Sequence, residues 1–146
     1  KSVIKSNNKR NKLLISKINK IMSNKLKNKK ITFLGVTFKA GTDDMRESPA
    51  LNIIPPLVKN GAKVFYHDPS GPKKNFNNKA IKFCSKIKDA CKKTDLLIIH
   101  TEWNEFKQLN FKKLVQKKNF KIFDMRNLYS PEKMKKNNLN YFGIGR

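Results

Sequence analysis

From residue 30 onward, short apolar runs alternate with segments in which apolar residues recur at helical spacing. The clearest run begins at residue 96 and is apolar at four consecutive positions, as strands covered on both faces of a parallel sheet tend to be. Strands that alternate with helices through short connections predict an α/β fold with a doubly wound, mostly parallel sheet of about five to six strands. The predicted strands are residues 31–38, 63–67, 80–83, 96–101, 121–125 and 141–144.

Helix signals lie between these strands. Ser48 can cap a helix that has Pro49 at its first position, and Gly61 can close that helix. Pro55 and Pro56 inside it are expected to kink or shorten it. Further short helices are predicted over residues 87–93, 111–117 and 131–136.

An amphipathic helix is predicted before the sheet, over residues 3–22, where Lys and Asn separate apolar residues at helical spacing. Two interpretations remain open at this point. The helix either packs on its own domain or arrives as a linker from an upstream domain. Because the chain starts at Lys1 and has no initiating Met, we expect it to be a piece of a longer protein.

The net charge of +24 over 146 residues would ordinarily indicate a nucleic-acid partner. Only four of the 34 basic residues are Arg, however, and the Lys residues are spread along the whole chain. Proteins that read nucleic acids rely on Arg for paired contacts to bases and phosphates. The composition therefore favours a solvated surface, and a basic nucleic-acid-binding module is kept as the alternative from another functional class.

The two cysteines, Cys84 and Cys91, have no CxxC motif and no His at ligand spacing, so neither a zinc site nor a disulfide framework is predicted. Reduced thiols make a cytoplasmic setting the default expectation. The apolar runs are too short to span a bilayer, so no membrane partner is expected. We assign no metal site.

In a parallel sheet, the carboxyl ends of the strands share one edge, and the segments after the strands converge there. Four such segments are rich in charged and aromatic residues: "GVTFKAGTDDMRES", "HDPSGP", "TEWNEF" and "DMRNLYS". Convergent Arg and Lys side chains at this edge suit a phosphate or carboxylate ligand. The charged and aromatic residues on these segments include Lys39, Arg46, Asp68, Glu102, Trp103 and Arg126, of which Lys39, Arg46 and Arg126 are the candidate anion contacts.

The first strand-to-helix turn reads "GVTFKAG" where a dinucleotide site should read GxGxxG, and the chain has no GxxxxGK[ST] loop. Any phosphate must therefore be held mainly by side chains. No nucleophile lies beside a base in the sequence, and His67 and His100 are expected to be neutral structural residues at strand ends. We assign a catalytic role to no residue.

Three stretches carry a resemblance: "FLGVTFKAGTDDMRESPALNIIPPLVKNGAKVFYHDP", "TDLLIIHTEWNEF" and "FDMRNLYSPEKMKKNNLNYFGIGR". Together they resemble the C-terminal, UDP-binding domain of the UDP-glucose/GDP-mannose dehydrogenase family over residues 30–146. "FKAGTDDMRES" and "TEWNEF" are most similar to the branch that acts on UDP-glucose. Relatives that act on UDP-N-acetylmannosamine or GDP-mannose are the alternative.

The resemblance implies a Rossmann-like fold, with residues 1–29 as the tail of the central helix that joins the family's two domains near a dimer interface. Family members oxidise the C6 hydroxyl of a nucleotide sugar twice with two NAD, which gives a uronic acid. The family's GxGxxG loop and catalytic Cys lie outside this sequence, so the chain is expected to be inactive alone. The implied partners are UDP-glucose, the NAD-binding N-terminal domain of the same protein, and a second copy in a homodimer.

Individual roles also follow from the resemblance. Phe38 and Lys39 match substrate contacts at the end of the first strand, and Arg126 matches a substrate-binding arginine. Arg46 matches an arginine that reaches the NAD cofactor across the domain cleft.

Three further residues have implied roles beside these. Asp43 and Asp44 are expected to hold the loop and orient Arg46. Trp103 is expected either to pack against the edge of the sheet or to line the nucleotide pocket.

Overall fold

The computed structural model of the chain describes residues 2–145, with side chains from residue 8 onward. Lys1 and Arg146, at the outer ends of the two predicted segments, lie outside the described residues. The described chain forms one six-stranded sheet in the order β3-β2-β1-β4-β5-β6. Every neighbouring pair of strands is parallel, which confirms the predicted doubly wound α/β class.

The elements follow one another as α1 Ser2–Ile21, β1 Lys30–Leu34, α2 Ala50–Lys59, β2 Lys63–His67, β3 Ile81–Phe83, α3 Ile87–Cys91, β4 Leu96–Ile99, α4 Phe111–Val115, β5 Lys121–Asp124, α5 Pro131–Lys136 and β6 Asn140–Gly143. A short 3-10 helix, Asn104–Phe106, was not predicted. β2 and α5 have the predicted boundaries.

Helices cover both faces of the sheet. Successive side chains of the central strands therefore point alternately into two hydrophobic cores, one on each face. Phe33 and Ile98 face α1 and α2, whereas Leu34 and Leu97 face α3, α4 and α5. β1 lies at the centre, paired with β2 on one side and β4 on the other. The connections run in opposite directions from β1 and β4, so the crevice between their carboxyl ends is the point where a doubly wound sheet takes its ligand.

β1 ends at Leu34, so the predicted strand over residues 31–38 is wrong beyond that residue. The Leu34 carbonyl accepts hydrogen bonds from the main-chain N–H groups of His100 and Thr101, which join the end of β1 to the loop after β4. Gly35 then adopts a φ of +80°, and its N–H donates to the carbonyl of His67. The chain therefore leaves the sheet four residues earlier than the apolar pattern suggests.

α2 begins at Ala50, one residue later than predicted, and continues through Pro55 and Pro56 to Lys59. The expected shortening at the prolines does not occur. The hydroxyl of Ser48 accepts a hydrogen bond from the Ala50 N–H at 3.3 Å, so Ser48 still serves the start of the helix.

α1 packs on the sheet of its own domain, which agrees with the first of the two interpretations and is compatible with the second. Leu14 and Ile21 are buried, and Ile18 is fully buried. At its C-terminal end, the ammonium group of Lys121, at the amino end of β5, donates to the Ile21 carbonyl at 2.7 Å. α1 therefore runs antiparallel to the strands, and residues 8–11 lie toward their carboxyl ends. Among residues 2–145, no helix has the length and apolar character needed to cross a membrane.

Substituting Gly35 tests the close approach of β1 to the loop after β4. A Cβ at Gly35 would lie 2.4 Å from the Thr101 Cβ, whereas a Cβ at Gly41, which has the same φ of +80°, would meet no atom within 4 Å. We expect Gly35→Ala to lower the free energy of unfolding by about 2–4 kcal/mol and Gly41→Ala by about 1 kcal/mol, because only the first adds a steric clash to the backbone strain. Urea denaturation of both variants measures this, and equal losses would contradict the packing described.

Candidate functional site

The loop after β1, residues 35–47, is here called the β1 loop, and the carboxylate of Asp68 holds its first turn. Asp68 follows β2 and is 1% exposed. Its Oδ2 accepts hydrogen bonds from the main-chain N–H groups of Val36 at 2.8 Å and Thr37 at 3.4 Å. Its Oδ1 accepts from the N–H of Ser70 at 2.9 Å and from the Ser70 hydroxyl. Asp68 was expected to lie at the edge where the charged residues converge, and both of its oxygens are engaged within the fold.

Hydroxyl groups bind the carbonyls of the same turn. Ser48 donates to the Val36 carbonyl, and Thr101 donates to the Thr37 carbonyl at 2.8 Å. The Thr37 hydroxyl donates to the Lys39 carbonyl at 2.9 Å. Because these main-chain groups are satisfied internally, the turn holds its geometry while the next two side chains remain accessible: Phe38 is 46% exposed and Lys39 is exposed.

Arg126 joins three loops at the carboxyl edge of the sheet. It follows β5, its Nε donates to the carbonyl of His100 at 2.9 Å, and its Nη2 donates to the carbonyl of Phe38 at 2.6 Å. Partial burial lowers the pKa of Arg126, the nearby carboxylate of Glu102 raises it, and the positive charge of Arg10 lowers it. The structure therefore places Arg126 beside Phe38, as the sequence predicted, and gives its guanidinium group a bracing role that the sequence did not reveal.

Arg46 lies further along the β1 loop and forms a hydrogen-bonded salt bridge with Asp44. The Asp44 carboxylate accepts from the Arg46 N–H at 2.9 Å, from its Nε at 3.1 Å and from its Nη2 at 3.0 Å. The hydrogen bond from Arg46 lowers the pKa of Asp44, and the same contact raises the pKa of Arg46. The Arg46 side chain is 88% exposed, so Asp44 orients it as expected while leaving it open to solvent.

A cleft of about 510 Å³ opens between α1, the β1 loop and the start of α2. Phe38 and Arg126 line it together, and Arg10 of α1 lines it from the other side. Its remaining lining residues are Asn8, Asn11, Glu47, Ser48, Pro49, Leu51, Asn52 and Met125. Lys39 and Arg46 do not belong to this lining; they are exposed on the same loop.

Trp103 is partly buried and packs against the core that contains Leu34, Leu97 and Phe106. This agrees with the first of its two expected roles, packing against the edge of the sheet. Its Nε1 is buried and has no hydrogen-bond partner among the described residues. Glu102, next to it, is exposed.

His100 is fully buried, and burial is the main cause that lowers its pKa to about 3. The Thr101 hydroxyl has one proton, which it donates to Thr37, so it accepts at 2.8 Å from the His100 Nδ1–H. His100 is therefore a neutral imidazole. Its Nε2 has no hydrogen-bond partner among the described residues.

The thiols are also unsuited to nucleophilic chemistry. Burial raises the pKa of Cys91 to about 12 and raises that of Cys84, so both remain protonated near neutral pH. Within residues 2–145, no group of three or more His, Cys, Asp or Glu side chains could hold a metal ion.

Arg10 is the cleft residue that sequence reasoning missed, because the N-terminal helix was considered only for packing and connection. A signal was present. Arg is scarce in this Lys-rich chain, so an Arg within the predicted N-terminal helix stands out in the sequence.

Comparison with known sequences and structures gives the setting of this cleft. Residues 32–131 match the model of the UDP-glucose/GDP-mannose dehydrogenase family, UDP binding domain. The UDP-glucose 6-dehydrogenase of Rickettsia felis is 40% identical over 99% of this chain and 33% of its own length, and that of Rickettsia conorii is 41% identical over 99% and 34%. The chain thus spans about a third of the length of the curated relatives it matches.

Solved structures agree with the fold. The UDP-N-acetyl-mannosamine dehydrogenase of Staphylococcus aureus is 26% identical, with a TM-score of 0.72 over 95% of this chain and 31% of that protein. A UDP-glucose dehydrogenase from Pyrobaculum islandicum is 21% identical, with a TM-score of 0.76 over 97% of this chain and 31% of that protein. At the latter identity, the likeness describes the fold alone.

The buried His100 predicts a loss of stability in acid. Its ordinary pKa of 6.5 applies when the chain is unfolded, and the folded value is about 3, so its contribution is fully present above about pH 6.5 and declines as the pH falls toward 3. At pH 4.5 the free energy of unfolding is lower by about 2–3 kcal/mol than it is above pH 6.5, as a result of this group alone.

His100→Asn removes the titrating group and keeps a donor for Thr101. Its free energy of unfolding should therefore fall less steeply between pH 6.5 and 4.5, by up to about 1.4 kcal/mol per pH unit. Urea denaturation across this range measures both slopes. Identical slopes for the variant and the original chain would show that His100 is not held neutral by the fold.

Proposed function

The chain belongs to the UDP-glucose/GDP-mannose dehydrogenase family, and from this membership we propose that it binds the UDP part of a nucleotide sugar within an NAD-dependent UDP-glucose 6-dehydrogenase. The complete protein would oxidise UDP-glucose to UDP-glucuronate with two NAD. This chain would be its C-terminal domain, residues 30–146, preceded by the tail of the linking helix, residues 1–29. It would supply binding groups and no catalytic residue.

One observation carries the proposal: the crevice between β1 and β4 carries an ordered loop that presents Phe38 and Lys39 to solvent beside the guanidinium group of Arg126. Arg126 would bind the substrate with the N–H groups that the His100 and Phe38 carbonyls leave free. Arg offers paired donors to phosphate oxygens and Lys a point charge, which together suit a diphosphate.

Lys39 would provide the more adaptable contact. It is exposed, its main-chain carbonyl is fixed by the Thr37 hydroxyl, and its charge helps to lower the pKa of Asp44. Lys39 thus lies on the same loop as the Arg46–Asp44 pair. Phe38 would offer its exposed ring as an apolar surface beside it.

NAD would contact this domain through Arg46. The N–H groups of its exposed guanidinium suit a contact to an anionic group of the cofactor. Asp44 binds Nε and Nη2 of Arg46, while the side chain remains 88% exposed, so further N–H groups can reach an anionic group of the cofactor. The β1 loop has no glycine-rich pyrophosphate cradle, so the N-terminal domain of the same protein would bind most of the cofactor. When bound, NAD supplies the hydride acceptor.

UDP-glucose is preferred over other nucleotide sugars because the relatives that are 40% and 41% identical are UDP-glucose 6-dehydrogenases, whereas the UDP-N-acetyl-mannosamine dehydrogenase of S. aureus is 26% identical. Turnover of UDP-glucose, UDP-N-acetylmannosamine and GDP-mannose by the full-length protein separates these substrates.

We also propose that the full-length protein is a homodimer with α1 near its interface and works in the cytoplasm.

Calorimetric titration with UDP tests the proposal, with Lys39→Ala as the variant and Lys63→Ala as the matched control. Lys63 is also exposed but begins β2, at the opposite edge of the sheet. We expect Lys39→Ala to raise the Kd for UDP about tenfold, as the loss of one charged contact should. Lys63→Ala should leave it within about twofold, because an exposed distant charge contributes little.

Absence of UDP binding at millimolar concentration, or equal effects of the two substitutions, would count against this site. A salt-sensitive affinity for arbitrary DNA that persists at physiological salt and is indifferent to UDP would favour the nucleic-acid alternative.

A further inference from the structure

Two guanidinium groups from distant parts of the chain face the same cleft. Arg126 lies after β5, and Arg10 lies on α1, yet both line the space beside Phe38. The positive charge of Arg10 lowers the pKa of Arg126, which is the effect of a like charge nearby. Neither forms an ion pair with a carboxylate among residues 8–145.

Neighbouring elements fix Arg126 and the helix that carries Arg10. The carbonyls of His100 and Phe38 fix the orientation of the Arg126 guanidinium, and use only two of its five N–H donors. Arg10 is exposed, but the helix that carries it is anchored two turns later by the fully buried Ile18. An anionic ligand between the two guanidinium groups would be attracted by both positive charges.

The other groups of the cleft narrow the kind of ligand. Glu47 lines it, and Glu102 raises the pKa of Arg126, so the surroundings are not a simple basic patch that would take any polyanion. The exposed ring of Phe38 supplies a flat apolar surface within the same space. A volume of about 510 Å³ falls in the range of small-molecule sites. Paired guanidinium groups beside an aromatic ring suit a ligand that joins phosphates to a planar base.

We propose that Arg10 is a phosphate-binding residue of the nucleotide site. Arg10 and Arg126 bind the diphosphate group of a nucleoside diphosphate from opposite sides of the cleft. The inference rests on the proposed function and adds α1 to the binding surface. The helix before the sheet is then part of the site as well as part of the core. A nucleoside without phosphates would make no use of Arg10.

The test compares Arg10→Gln with Lys9→Gln in calorimetric titrations with UDP and with uridine. Lys9 is the neighbouring exposed cation on the same helix and does not line the cleft, so both variants lose one positive charge. We expect Arg10→Gln to raise the Kd for UDP about tenfold and to leave that for uridine unchanged, because a charged hydrogen bond to phosphate is lost. Lys9→Gln should change the Kd for UDP by no more than about twofold.

Equal effects of the two substitutions on UDP, or an equal weakening of uridine by Arg10→Gln, would overturn the role of Arg10 and leave the proposed function standing. Failure of the original chain to bind UDP would instead overturn the proposed function, and this inference with it. Both positions are exposed, so unchanged thermal unfolding of the two variants confirms that the comparison concerns binding.

Discussion

The buried carboxylate of Asp68 determines where the β1 loop goes, and the rest of the site depends on that path. It accepts hydrogen bonds from the main-chain N–H groups of Val36 and Thr37, which lie 32 and 31 residues earlier in the chain. Without this acceptor, two buried donors would be left unpaired, each at a cost of about 1–3 kcal/mol. Asp68 therefore turns the chain out of the sheet directly after Gly35 and directs Phe38 and Lys39 toward the crevice.

Arg126 connects two loops of the candidate site and is also a candidate ligand-binding residue. Arg126 binds the carbonyl of Phe38 from the β1 loop and the carbonyl of His100 from the loop after β4. A ligand that contacts Arg126 would thus meet a group already fixed in position, which reduces the entropy lost on binding. The main-chain carbonyls that fix the guanidinium group carry no net charge, so these contacts leave its positive charge available to an anion.

Much of this architecture could be predicted from the sequence, because its signals are local. Four consecutive apolar residues identify β4, Ser130 and Pro131 mark the start of α5, and parallel connectivity requires the strand ends to share an edge. The end of β1 could not be predicted. Val36 and Thr37 continue the pattern of a strand, and only a distant carboxylate removes them from the sheet.

The geometry of the candidate site could be predicted only in part. Motif resemblance identified Phe38 and Arg126, which the structure brings together, but the contact between the Arg126 guanidinium and the Phe38 carbonyl depends on loop paths that no local pattern encodes. The structural role of Asp68 could not be predicted, because its burial becomes visible only in the fold.

We expect the nucleotide to bind at the carboxyl edge of the sheet, between β1 and β4. The most direct measurement is a ¹⁵N-resolved NMR titration of the chain with UDP, which reports binding residue by residue. Shifts should concentrate in the main-chain amides of residues 36–46, 100–103 and 125–127, with smaller changes near residue 10. Shifts confined to the Lys-rich surface of α4 and α5, or no shifts at saturating UDP, would contradict the account.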